Sequence, residues 1–167
     1  AGILIQIPHE FFKQKALKLN ISLEKAGSYG VGMLFFPKKA TIKEECRRAI
    51  GKAADKLGLK ILGYRKVPIN SGIIGEAAFS SEPDIEQVFI AKPASLHTPE
   101  DFERKLYVLT NYATKLVRET VTGAEQQFYV VSLSQNVIMY KGEFTSSQVR
   151  VYFPDLNNSL LSSAFGM

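Results

Sequence analysis

Apolar positions along the first seventy or so residues change their spacing several times, and each change predicts an element. Gly2 to Ile7 is a short apolar run, the mark of a strand, and Phe11, Phe12, Ala16, Leu17 and Leu19 then recur at the spacing of a short helix over 11–19. Lys25 to Ser28 reads as a loop. Val31 to Phe36 is apolar and aromatic without alternation, which predicts a strand covered on both faces and ended by Pro37. Thr41 and Glu44 have the T-x-x-E spacing of a capping box, and Ile42, Cys46, Ala49, Ile50, Ala53 and Leu57 form one face of the helix that it opens. Gly58 falls where a left-handed C-cap is needed, after which Leu59 to Val67 resumes as a strand that Pro68 closes.

The second half is read in the same way. Ile85 to Ala91 is a strand, and Thr98, Pro99 and Asp101 supply an N-cap, a first-turn proline and a first-turn acid. Phe102, Leu106, Leu109, Ala113, Leu116, Val117 and Thr120 keep the helical period, so this helix runs to about Val121, before Gly123. Phe128 to Ser134 and Val137 to Lys141 predict two strands joined as a hairpin by Gln135-Asn136. Thr145 and Gln148 repeat the capping-box spacing and open a helix through Val149 and Tyr152, which Pro154 ends. A last apolar run leads to Met167. Strands in groups with helices between them predict an α+β or layered α/β fold, and with no repeat and no long linker residues 1–167 read as a single domain.

Composition excludes several classes. In 167 residues, hydrophobic side chains make up 46% and charged ones 22%, the balance of a globular chain with a core to bury. No apolar run reaches the roughly 18 residues of a membrane span, and no signal peptide is recognisable, so the expected location is the cytosol. Cys46 is the sole cysteine and has only His9 and His97 for company, which gives neither an internal disulfide nor metal-ligand spacing.

The net charge of +5 conceals an asymmetry, because residues 1–66 are +9 and the remainder −4. Arg48, Lys52 and Lys56 recur at i, i+4 on one helix, yet Glu44, Glu45 and Asp55 interrupt it and no aromatics interleave, so a solvated face is the expected reading over a nucleic-acid surface.

Candidate chemistry is sparse. Gly27, Gly30 and Gly32 precede a strand, whereas a dinucleotide fingerprint opens a helix. His9 at a helix entry and His97 before an N-cap suit polar surface or capping roles, and Ser132 and Ser134 lack a nucleophile elbow and a following histidine. Cys46 on an inner helix face reads as a buried, inert thiol. No residue is assigned a catalytic, cofactor-binding or metal-binding role.

The order of several words is more informative than any one residue. Ala1-Gly2-Ile3-Leu4-Ile5-Gln6-Ile7-Pro8 with Phe11-Phe12, Tyr29-Gly30-Val31-Gly32-Met33, Phe35-Phe36-Pro37, Leu62-Gly63-Tyr64-Arg65-Lys66-Val67-Pro68-Ile69-Asn70 and Gln87-Val88-Phe89-Ile90 stand in the first part. Phe102-Glu103-Arg104-Lys105-Leu106-Tyr107-Val108, Ser132-Leu133-Ser134, Tyr140-Lys141-Gly142 and Tyr152-Phe153-Pro154-Asp155-Leu156 follow. Together, and in this order, they resemble the glutamine-hydrolysing domain of the glutamate synthase large-subunit family. Gln135-Asn136 departs from the Ser-Arg that commonly follows in that family.

The resemblance implies a class II glutamine amidotransferase of the N-terminal nucleophile hydrolase type, a four-layer αββα sandwich of which this is a central, internal piece. There, an N-terminal cysteine attacks glutamine with its own α-amino group as base, and ammonia passes to domains carrying FMN and an iron–sulfur cluster for reductive amination of 2-oxoglutarate. The expected partners are the remaining glutamate synthase domains and an electron-donating subunit or ferredoxin, with no nucleic acid and no membrane. A strand beginning at Gly2 behind Ala1 adds the expectation of an internal fragment. The family's catalytic cysteine, its His-Ser-Arg-Phe-Ser-Thr word and its His-Asn-Gly word have no counterpart among these residues, so the chain alone is expected to be inactive. The alternative is a non-catalytic interaction module reusing the fold, with a basic nucleic-acid-binding domain third.

Overall fold

The run around Val31 to Phe36 becomes β2 (Tyr29–Phe36), the strand on which the rest is built in a computed structural model that describes residues 1–163. β4 (Asp84–Ala91) pairs one edge of β2 along its whole length, from Tyr29 opposite Ala91 to Phe36 opposite Asp84. β5 (Tyr129–Ser134) takes the other edge, and β3 (Lys60–Lys66) lies outside β4, giving an antiparallel sheet in the order β3-β4-β2-β5. β2 does not alternate because both its faces are buried. Val31 and Met33 enter one apolar cluster, Leu34 and Phe36 another. Gly30 is required by close approach, since a Cβ there would stand 2.7 Å from the Leu106 side chain.

On the Leu34 and Phe36 side lie α2 (Ala40–Lys56) and α4 (Pro99–Thr120), packed against each other and the sheet. The predicted faces hold: Cys46, Ala49, Ile50 and Ala53 of α2 and Phe102, Leu106, Leu109, Ala113 and Val117 of α4 are buried. Thr98 caps α4 as expected, its Oγ accepting from the Asp101 N–H at 3.1 Å. α2 ends in the predicted left-handed cap, with Gly58 at φ +68°, Leu59 N–H donating to the Ala54 carbonyl and Gly58 N–H to that of Asp55.

The opposite face carries a second layer. β1 (Gly2–Gln6) and β6 (Val137–Lys141) form a separate antiparallel pair with Gly2 opposite Lys141 and Gln6 opposite Val137. Ile5, Ile138 and Tyr140 of this pair join Phe11, Phe12 and Ala16 of α1 (His9–Leu17) in burying Val31, Met33 and Phe89 of the larger sheet. α3 (Glu76–Ser81), α5 (Val149–Tyr152) and 3₁₀ turns at Ser71–Ile73, Ser146–Gln148 and Pro154–Asn157 complete the described residues. Mixed helices and antiparallel sheets make this an α+β fold.

Four expectations need correction. The capping box at Thr41 and Glu44 does not form: α2 starts two residues earlier, with Lys39 as N-cap, and Glu44 pairs with Arg47 at 2.7 Å instead. Leu17 and Leu19 are 69% and 46% exposed, because Leu17 falls on the side of α1 away from Phe11, Phe12 and Ala16 and Leu19 lies beyond the helix's end. At Thr145 the expected capping box does form, the Gln148 side chain accepting the Thr145 N–H at 2.9 Å, and only the first turn needs correction, being 3₁₀ and leading into the single turn of α5.

The fourth is the hairpin. β5 and β6 follow one another but belong to different sheets, so Gln135-Asn136 is a corner between layers. Serine hydroxyls replace the missing ladder: Ser134 Oγ accepts from the Asn136 and Val137 N–H groups at 2.9 and 3.2 Å, and Ser132 Oγ from Met139 N–H at 3.1 Å. Helix α4 holds the corner through Glu103, which accepts the Gln135 N–H at 3.0 Å, and through the Pro99 carbonyl, which accepts from the Gln135 amide. The last apolar run lies partly outside the described residues, 164–167 being beyond them.

Candidate functional site

Two polar clusters and two clefts are the places where chemistry is concentrated. The first cluster joins α2 to the sheet. Lys43 Nζ lies 2.6 Å from Asp84 and 3.1 Å from Glu86, and Arg47 donates to Glu86 at 2.6 and 3.1 Å while stacking 4.8 Å above the Tyr64 ring. Burial by itself would lower the Lys43 pKa, but hydrogen bonds to Asp84 and Glu86 outweigh it and leave the ammonium held above its usual value. Burial likewise opposes the charged form of Asp84, yet the Lys43 hydrogen bond prevails and its pKa is lowered. The Tyr64 hydroxyl is buried with no hydrogen-bond partner among the described residues, and burial pushes its pKa well up.

The second cluster lies between the sheets and the turn at Pro154–Asn157. Arg65 of β3 forms a two-pronged pair with Asp155, Nη1 to Oδ2 at 2.7 Å and Nη2 to Oδ1 at 2.8 Å. Arg65 Nη1 also donates to Gln87 Oε1 at 2.8 Å, Gln87 Nε2 donates to the Tyr140 hydroxyl at 3.0 Å, and that hydroxyl donates to Asp155 at 3.3 Å. All four side chains are buried, and burial first, then the Asp155 charge, raises the Tyr140 pKa strongly.

The sequence candidates do not meet at a site. Cys46 is fully buried in the α2–α4 cluster, and burial, reinforced by Glu45, pushes its thiol up to about 11. A group so placed is mostly protonated at neutral pH and has no base beside it. His9 Nδ1 lies 3.0 Å from the Tyr29 hydroxyl at the entry to α1, and His97 is exposed before the α4 cap. Ser132 and Ser134 are engaged at the corner as acceptors of backbone N–H groups. Gly27 has φ +79° in a turn, while Gly30 and Gly32 lie inside β2, so the three make no phosphate cradle. Among the described residues no group of three or more His, Cys, Asp or Glu side chains is placed to hold a metal ion, and no helix is long and apolar enough to cross a membrane.

Neither polar cluster was anticipated from spacing, since each joins residues distant in sequence. A signal did exist in the charge asymmetry. Lys38–Glu82, Lys43–Asp84, Lys43–Glu86, Arg47–Glu86, Arg65–Asp155 and Lys66–Asp84 all tie the basic first part to the acidic second. Much of the basic charge is therefore answered within the molecule, while Arg48, Lys52 and Lys56 remain as the expected exposed face of α2.

The two clefts, of about 610 and 640 Å³, share Phe35, Tyr129, Lys141, Gly142 and Glu143 where β5 and β6 diverge from their corner. Lys141 lies 4.4 Å above the Tyr129 ring, and Glu143 accepts from the Ser81 hydroxyl at 2.9 Å.

Comparison with known proteins supplies what the side chains alone do not. Similar proteins include the glutamate synthase [NADPH] large chain of Bacillus subtilis, 39% identical over all of this chain and 11% of that one, and the glutamate synthase [NADH] of Schizosaccharomyces pombe, 36% identical over all of this chain and 8% of that one. The ferredoxin-dependent glutamate synthase 1 of Arabidopsis thaliana is 34% identical, again over all of this chain and 10% of its own length. The chain thus spans about a tenth of the relatives it matches. The family profile described as glutamine amidotransferases class-II matches residues 1–167, Ala1 ahead of β1 and the Arg65–Asp155 pair included, and on that match the chain belongs to the class II glutamine amidotransferases.

Proposed function

We propose that these 167 residues are the central part of a glutamine-hydrolysing domain of glutamate synthase, in which glutamine yields glutamate and ammonia for the reductive amination of 2-oxoglutarate. The observation that carries this reading is the full-length family match together with glutamate synthase relatives at 34–39% identity. FMN and an iron–sulfur cluster belong, on this reading, to other domains of the longer protein, as do contacts with an electron-donating subunit or ferredoxin, and the location is the cytosol. The four-layer αββα sandwich is proposed with it. One helical layer and the two sheets are present in the described residues, and a second helical layer would cover the outer face of β1/β6, where Leu4 and Met139 stand opposite one another, half-buried.

Residues 1–167 are proposed to act as one unit that does not hydrolyse glutamine alone. Amide hydrolysis of this kind needs an activated nucleophile beside a base. The sequence has one cysteine, and its thiol is buried and shifted away from the reactive form. The test is ammonia release from glutamine by the purified chain and by the longer glutamate synthase polypeptide that contains it. Release by the longer protein only is the expected result. Turnover by the 167 residues that disappears in Cys46→Ala would sink the proposal, and an inactive longer protein would sink the assignment to glutamate synthase.

A further inference from the structure

We propose that Arg65, Gln87, Tyr140 and Asp155 form a placement lock, which fixes how the β1/β6 layer and the Pro154–Asn157 turn sit on the four-stranded sheet and contributes specificity more than stability. The proposal does not depend on the catalytic reading. The four residues come from β3, β4, β6 and the turn, and their bonds close a ring: Arg65 to Asp155, Arg65 to Gln87, Gln87 to Tyr140, Tyr140 to Asp155. The ring is directional. Arg65 only donates, Asp155 accepts, and the Gln87 amide is oriented because its oxygen faces a guanidinium and its nitrogen a phenol.

The surrounding cluster discriminates by volume alone, since apolar contact is non-directional. Ile3, Ile5, Ile138 and Tyr140 face the larger sheet from β1 and β6, so sliding β6 by two residues would put Ile138 or Gly142 where the Tyr140 ring packs and leave a cavity that repacking can partly fill. The same slide would orphan the Gln87 amide nitrogen inside the protein, while Asp155 keeps only Arg65, a loss the apolar residues cannot make good. Buried ion pairs are weak contributors to net stability because desolvation offsets their attraction, whereas fixing register is the role best attested for them. All four residues also lie in the words that carry the family resemblance: Arg65 in Leu62 to Asn70, Gln87 in Gln87 to Ile90, Tyr140 in Tyr140 to Gly142, and Asp155 in Tyr152 to Leu156.

The test replaces the ion pair by apolar side chains, in the double substitution Arg65→Met with Asp155→Leu, and reads amide hydrogen exchange strand by strand beside the unfolding midpoint. Expected are a midpoint lowered by no more than the newly orphaned Gln87 oxygen and Tyr140 hydroxyl account for, protection in β1, β6 and residues 154–157 reduced at least about tenfold, and protection in β2 and β4 unchanged. Unchanged protection in β1 and β6 would overturn the proposal, since the layer would then be placed without the pair. Failure to fold, or an equal loss of protection in every strand, would overturn it as well, because the pair would then be part of the stability of the whole. The tyrosine gives a second arm. Tyr140→Phe removes two hydrogen bonds without a cavity, and it is expected to lower protection in β6 more than in β4; equal effects would count against the lock.

Discussion

On the helix-covered face of the four-stranded sheet the side chains of Lys43 and Arg47 keep 16% and 28% of their surface in water, whereas on the other face those of Arg65 and Asp155 keep 8% and 3%. Both clusters join a cation from the first part of the chain to a carboxylate from the second, and both lie against an aromatic ring, Tyr64 in one and Phe11 in the other. They differ in closure. The outer cluster shares Glu86 between two cations and leaves the Tyr64 hydroxyl without a partner among the described residues, while in the inner one each side chain has its counterpart. The difference teaches where a lost charge can be compensated. Water and spare partners are at hand outside, and neither is at hand inside.

The largest break in that comparison is Asp155→Ala, which strands the Arg65 cation and is expected to cost about 3 to 5 kcal/mol of unfolding free energy in chemical denaturation. Glu86→Ala should cost less, about 1 to 3 kcal/mol, since Lys43 retains Asp84 and Arg47 retains Glu44. Equal costs would mean that the two clusters are not distinguished by closure.

A pH series sharpens the contrast further. The folded pKa of Asp84 lies below its unfolded 3.8, so its contribution is present above pH 3.8 and is lost as pH falls through the folded value. Lys43, raised above 10.5, contributes below that pH and loses its share as pH rises through its folded value. The difference in denaturation midpoint between wild type and Asp84→Asn should therefore be largest around neutrality and shrink below pH 3.8; a constant difference would show that Asp84 acts by packing alone. The smallest effect belongs to Tyr64→Phe, which removes a hydroxyl that satisfies nothing. A change within about 0.5 kcal/mol, in either direction, is expected. A clear loss would reveal a partner for that hydroxyl.

What could be read in the sequence was what depends on neighbours along the chain. The Thr98 cap, the Gly58 C-cap, the faces of α2 and α4 and the doubly covered β2 all rest on spacings of a few residues. Thr41 misled because a capping box needs Glu44 free to turn back, and Arg47 one turn on holds it. α3 left no trace, since none of Glu76 to Ser81 is buried and Phe79 is 53% exposed, so no apolar period exists to be read. At Gln135-Asn136 the strand pattern was right and the partner wrong, for nothing local says that β6 will leave β5 and pair with β1. Of the candidate site, the bland readings of Cys46, Ser132 and Ser134 were legible and the Arg65–Asp155 pair was not, because residues 65 and 155 meet only after the sheets are stacked. The family words contain all four members of that ring, yet a word marks a position without stating its partner.

The pairing of Gly2 with Lys141 sets a clock on synthesis. β1 is among the first of these residues to leave the ribosome and its only strand partner among the described residues among the last, so at about 5 to 20 residues per second Ile3 and Ile5 wait on the order of ten seconds without a strand to pair with. During that interval β2, β3 and β4 can already assemble beneath α2, since they lie closer together along the chain. The helix-covered half can therefore begin to assemble first, and the apolar β1 remains open to chaperones or to wrong partners until β6 emerges.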